Sequence, residues 1–383
     1  MAMDDAAFAS CVKGLQQTAR AEGISAAVID NNLAAVRWVE RVIELDRRQP
    51  EFTDSFTGYF NRRVTDQRIA QGRALLAEHR ALFDSVAAEY GVPAQYLVAF
   101  WGLETNFGSY FGKMPILDSL ATLACDQRRS QYFTGELMAA LRIIDEGSIT
   151  AERMQGSWAG AMGHVQFMPH VFLRYAVDAD GDGRRDLWNS LPDAMHSAAN
   201  FLRGIGWQRG SRWGREVRLP DNFDYLAAGL TQRRPLAEWR RLGLLTADGR
   251  PLPVVDDMRA ALLVPSGHQG PAFLVYDNFD VIMRWNRSEF YALSVGHLAD
   301  RINGAGKLRQ SPPANAVRLN RDTVMQLQQA LNQQGFEAGE ADGIPGPSTR
   351  SAISRWQQKN GLIADGFISR ELLDALDISI AEL

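Results

Sequence analysis

Tyr96, Leu97, Phe100, Trp101 and Glu104 recur at spacings of three and four, which place side chains on one face of a helix. Val92-Pro93 opens that helix and Asn106-Phe107-Gly108 stops it. A carboxylate at the end of an apolar stripe is desolvated and meets the negative end of the helix macrodipole, so both effects should raise the pKa of Glu104. A general acid for glycosidic cleavage needs that tuning. The plainer role for the same residue is an acid that reaches solvent, or pairs with an arginine, at the last helical turn.

A second constellation is Asp178-Ala179-Asp180-Gly181-Asp182-Gly183, which fits the first six positions of a calcium loop. Three alternating carboxylates around a glycine turn repel one another without a cation. The candidate ligands are Asp178, Asp180, Asp182 and Arg184. Asn189 stands at the twelfth position where a bidentate Glu is expected, and Asp193 is the candidate to close the site in its place. The alternative is an acidic turn with no ion. An occupied site would be structural calcium, with no cofactor required for catalysis. Six histidines show no ligand spacing, and phosphate-loop, serine-hydrolase, zinc-protease and dinucleotide motifs are absent.

These residues need elements to hold them. The chain has 383 residues, 46% apolar and 22% charged, enough for two or three domains with real cores. A net charge of −4 gives no global reason to bind nucleic acid. Helical periodicity (Phe8, Cys11, Val12, Leu15; Ile69, Leu75, Leu76, Leu82, Phe83, Val86) runs through the first half. The run Gly156-Ser157-Trp158-Ala159-Gly160-Ala161-Met162-Gly163 is too small-residued for a surface helix and implies close backbone approach. β-Branched and aromatic runs at 216–220, 261–265 and 272–285 predict a small β element. Asn303–Gly306 and Ser311–Asn315 read as a flexible linker before a separate compact unit. Cys11 and Cys125 could be a buried free pair or one disulfide. The opening residues carry neither a basic nor an apolar signal region.

Around Glu104, Gly102-Leu103-Glu104-Thr105-Asn106-Phe107-Gly108 resembles the lytic murein transglycosylases of the B type, the soluble lytic transglycosylases of glycoside hydrolase family 103. The likeness continues in order through Arg128–Leu137, Gly156–Gly163, Gln166–Pro169, the calcium-like loop, Tyr276–Phe279 and Arg284-Trp285-Asn286. The tail (Leu327–Leu331, Asp342–Gly346, Trp356-Gln357-Gln358, Asp365-Gly366) resembles a type 1 peptidoglycan-binding domain. The resemblance implies a mainly α fold: a lysozyme-like helical catalytic domain over 1–303 with its β element at about 214–290, a linker at 304–316 and a three-helix anchor at 317–383.

By the same resemblance the enzyme cleaves the β-1,4 bond between MurNAc and GlcNAc and leaves a 1,6-anhydro end, with Glu104 as its sole catalytic carboxylate. Ser157 and Gln166 match cleft residues around the acetamido groups, and Arg128 and Arg129 match an arginine pair for lactyl or stem-peptide oxygens. Asn286 matches an asparagine near the acid, Trp285 stands where other members carry tyrosine, and Tyr291 and Tyr59 match cleft aromatics. Expected partners are glycan strands and other cell-wall enzymes, with the protein a periplasmic monomer. The rivals are a hydrolytic muramidase on the same scaffold and a non-catalytic wall-binding protein.

Overall fold

A computed structural model describes residues 4–48, 54–314, 317 and 319–379. They divide into two compact units, Met1–Gln49 with Gln67–Arg209 and Pro50–Asp66 with Gly210–Leu383.

The first unit is helical, and its helices start where side chains can cap them. Asp4 accepts the backbone N–H of Ala7 ahead of Asp5–Ala21, Ser25 accepts that of Val28 ahead of Ala26–Asn31, and Ser190 accepts that of Asp193 ahead of Leu191–Gly204. At the centre, nine of the twelve residues of Ala94–Thr105 are buried, so the helix is enclosed all round and has more than the apolar stripe its spacing suggests. Glu104 is its only charged residue. Ile116–Cys125 and Ser130–Asp145 pack along each other, and both are largely apolar on their buried faces. Cys11 and Cys125 form a disulfide that ties Asp5–Ala21 to Ile116–Cys125, which decides between the two thiol readings.

In the second unit, five short antiparallel strands take the order Arg234–Pro235, Arg259–Leu263, Ala272–Val275, Gly214–Arg218, Leu245–Thr246. Ala261 and Gly214 both pair with Val275. The expected β run over 272–285 is only partly strand, because Asp277–Trp285 is a helix. The reason is electrostatic and periodic: Asp277 and Asp280 sit in its first turn, Arg284 in its last, and Asn278, Phe279, Val281 and Ile282 bury one face. Glu289–Ile302 follows, and Phe56–Arg63 packs against it through Phe56 and Phe290 at 5.5 Å.

Arg321–Gln333, Pro347–Lys359 and Arg370–Ala375 form the expected three-helix tail around Leu327, Leu331, Ile353, Trp356 and Leu373. Two buried glutamines play the same part in it. Gln328 donates to Asp342 (3.1 Å) and accepts from the N–H of Gly343 (2.9 Å), while Gln357 donates to Asp365 (3.0 Å) and accepts from Gly366 (2.9 Å). Each thus pins an Asp-Gly turn. The tail is tied to the rest of its unit by Arg350, whose guanidinium reaches Glu289 at 2.8 and 3.1 Å. Asp365 makes a second tie, accepting from the backbone N–H of His268 at 2.9 Å and lying 2.7 Å from its Nδ1. The stretch expected to be a flexible linker is also held: the N–H groups of Arg309 and Gln310 donate to Glu216, and the carbonyl of Pro313 accepts from Thr57. Residues 315 and 316 lie outside the described residues.

Candidate active site

Glu104 lies in the last turn of Ala94–Thr105, half-buried, and the turn after it is locked. Asn106 and Phe107 take positive φ (48° and 60°), conformations that side chains rarely adopt without a compensating framework. The Thr105 hydroxyl supplies part of that framework, donating to the carbonyl of His164 at 2.9 Å and accepting the N–H of Gly108 at 3.0 Å. A Cβ on Gly108, itself at φ 77°, would stand 2.4 Å from the His164 ring, so only glycine fits there. Trp101, one turn before Glu104, donates its indole N–H to Nδ1 of His164 at 2.9 Å. Burial pushes His164 down to about 4, with Asp186 opposing, so the imidazole is neutral at pH 7 and can accept that bond.

The same cluster gathers Ser157 and Gln166. Gln166 is a third non-glycine residue of positive φ (49°), and its amide donates to the carbonyls of Phe111 (3.2 Å) and Gly163 (3.0 Å). Ser157 Oγ accepts from the N–H of Ala161 at 2.9 Å. Between them, a Cβ on Gly112 would lie 2.1 Å from the Gly156 carbonyl, the close approach that the small-residue run foretold. Segments 101–112 and 154–167 are therefore one connected piece.

Arg128 and Arg129 lie elsewhere on this unit. They follow the far end of Ile116–Cys125, roughly 14 Å along that axis from the Met114-Pro115 and Gln155-Gly156 ribbon. Both hold the buried carboxylate of Asp46, with Arg128 Nη1 at 2.9 Å from Oδ2. Sequence spacing carries no signal for Asp46, which is more than 80 residues away. The arginine side chains remain partly exposed, so part of each fork is open to a ligand.

Asp178, Asp180 and Asp182 bring one carboxylate oxygen each to within 4.8 Å of one another, a hard-oxygen set that suits calcium. Asp193 closes the loop by a different route from the one expected. It is fully buried, and its two oxygens accept the N–H groups of Ala179 and Asp186, both at 2.8 Å, leaving it as the loop's internal clasp. Burial raises its pKa while those backbone bonds oppose the shift. Arg184 donates its N–H to Asp182 at 2.8 Å, and the Asn189 amide turns to Asp186.

Tyr59, Trp285, Asn286 and Tyr291 belong to the second unit. Tyr59 lies 6.3 Å from the Phe290 ring under the guanidinium of Arg63, and Asn286 is exposed just after Asp277–Trp285. Tyr291 is buried, which confines it to a supporting contact.

Comparison with known proteins defines the class. The chain is similar to SltB3 from Pseudomonas aeruginosa in complex with NAG-anhNAM-pentapeptide, at 44% identity and a TM-score of 0.93, covering 97% of this chain and 99% of that one. It is also similar to the Escherichia coli lytic transglycosylase Slt35 in complex with calcium, at 27% identity and a TM-score of 0.67, covering 76% of this chain and 92% of that one. The membrane-bound lytic murein transglycosylase B of Escherichia coli K12 is 33% identical over 257 residues, 64% of this chain, and the match spans 66% of that relative's length. The fold is that of the lytic transglycosylases. A profile described as the transglycosylase SLT domain matches residues 7–300, and the chain belongs to that family. A peptidoglycan binding domain profile matches residues 320–376.

Proposed function

We propose that this lytic transglycosylase cleaves the β-1,4 bond between MurNAc and GlcNAc of peptidoglycan with Glu104 as its only catalytic carboxylate, leaving a 1,6-anhydro end. The carrying observation is the placement of Glu104: the one charge on a helix with nine of its twelve residues buried, followed by a turn fixed through Thr105, His164 and two non-glycine residues of positive φ. Protonated Glu104 gives its proton to the leaving O4 as the C1–O4 bond breaks. The charge developing at C1 is met by the acetamido oxygen of the same sugar. The ionised Glu104 then takes the proton of the C6 hydroxyl as that oxygen bonds to C1. No water enters and no second carboxylate is needed, because the nucleophile is already part of the substrate.

In this reading Ser157 and Gln166 bind the acetamido groups. Tyr59, Trp285 and Asn286 supply sugar contacts with Tyr291 as a supporting contact, and the free edges of Arg128 and Arg129 meet anionic or carbonyl oxygens. Calcium, held by Asp178, Asp180 and Asp182 with Asp193 clasping the loop, would neutralise that triad and stiffen it. No helix among the described residues is long and apolar enough to cross a membrane. The enzyme acts in the periplasm, with the catalytic domain at 1–303 and residues 317–383 as its wall anchor; the family matches at 7–300 and 320–376 support these boundaries.

The test is the mass of the fragments released from purified sacculi. Anhydro ends are expected from the wild type, and Glu104→Gln should lower turnover by roughly a thousandfold or more. Products heavier by one water would make the enzyme a hydrolase. Unchanged turnover in Glu104→Gln would remove that residue from the mechanism.

A further inference from the structure

Beside the Ser157 segment lies a cleft of about 200 Å³ whose walls include Phe111, Ile149, Arg153, Gln155, Trp188 and Asn189. Its frame is rigid. The Trp188 indole donates to the carbonyl of Gln155 at 3.0 Å, the Phe111 carbonyl accepts from Gln166, and the Phe111 ring packs against His164 at 4.7 Å between centroids. Two of its polar side chains, those of Arg153 and Gln155, are exposed and uncommitted. Neither the Arg153 guanidinium nor the Gln155 amide has a side-chain or backbone partner among the described residues, whereas Arg128 and Arg129 share Asp46 and Arg185 holds Glu146.

The volume is below the range of about 300–1,000 Å³ usual for a whole small-molecule ligand, so the cleft takes a branch of a larger one. A guanidinium and an amide in a cleft walled by two aromatic residues select a carboxylate on a partly apolar chain. In N-acetylated glycan the sugar rings are neutral, and the lactyl carboxyl is consumed in the amide that joins the peptide stem. The remaining carboxylates are on the stem itself. We infer that this cleft is a peptide-stem site, in which Arg153 and Gln155 grip a stem carboxylate while Phe111, Trp188 and Ile149 flank the adjoining residues. The inference rests on the reading of this chain as a peptidoglycan transglycosylase and adds the part of the substrate that sets its preference. By the chain path from Glu104 to Phe111, and from Gln155 to Ser157, a stem seated here would help to register the sugar that carries it.

Calorimetric titration of the full chain tests it. The ligands are a disaccharide pentapeptide, the same compound amidated at its terminal carboxylate or at its side-chain carboxylates, and a stem-free tetrasaccharide. Arg153→Gln should weaken binding of the pentapeptide ligand by roughly tenfold and leave the affinity for stem-free glycan unchanged. It should add nothing once the gripped carboxylate is amidated, and the amidated form that abolishes the difference identifies that carboxylate. Gln155→Glu, which sets a negative charge in the same cleft, should weaken the same ligand, and melting temperatures check that both variants fold. Equal losses with and without the stem, or no loss, would overturn the inference. Glu104→Gln in every titrated sample keeps the measurement independent of turnover, whereas absence of anhydro product from the wild type would instead sink the functional reading.

Discussion

Thr105 shows how a side chain beside the acid can matter as much as one that touches substrate. Its hydroxyl joins the His164 carbonyl to the Gly108 N–H, and both are orphaned if it is removed. Thr105→Val should cost about 1–3 kcal/mol of stability. It should also lower kcat by roughly tenfold with KM little changed, because positioning is lost while binding surface is kept. Thr105→Ser should restore both, and steady-state kinetics with a melting curve decide. Two histidines make a separate prediction. Burial lowers His164 and His297 from 6.5 to about 4, helped at His297 by Arg301. The unfolded chain takes up these protons near pH 6.5 and the folded chain only near 4, so their stabilisation is full above about 6.5 and drains as pH falls toward 4. The melting temperature should fall across that window, less steeply in His297→Leu; an equal slope in the variant would contradict the assignment.

Between elements, the Cys11–Cys125 bond joins two helices separated by 114 residues of chain. Closing a loop of that length removes enough freedom from the unfolded chain to stabilise the fold by about 3–5 kcal/mol. Cys11→Ser should therefore melt several degrees lower, and reductant should lower the wild type to match and leave the variant unmoved. The sequence displayed the elements unevenly. Ala94–Thr105 was legible because Pro93 and Asn106 bracket it, and the glycine run because nothing else explains so many small residues together. Asp277–Trp285 was not, since Val281, Ile282 and Trp285 carry strand propensity and only the charges at its two ends betray a helix. Asp46 and Asp193 act through long-range or backbone contacts that no local spacing encodes. The same limit hid the partnerships of Arg128 and Arg129.

At the scale of the molecule, the two family matches follow one another along the chain, and the tail is not a free appendage within its own unit. Asp365 accepts from the Gln357 amide and from the N–H groups of Phe367 and His268, so one buried carboxylate fixes an internal turn and a contact with the sheet domain. Asp365→Ala should cost about 1–3 kcal/mol and raise amide hydrogen exchange together at 266–270 and 354–368. Arg350→Ala, which breaks a more exposed pair with Glu289, should cost under about 1 kcal/mol. If exchange rises only within the tail, the contact with His268 contributes nothing to holding it.

The bond between residues 11 and 125 also governs what damage looks like. A single protease cut anywhere in that span leaves two fragments still covalently joined, so on a gel without reductant the chain would run as one intact band and the cut would show only when thiol is added.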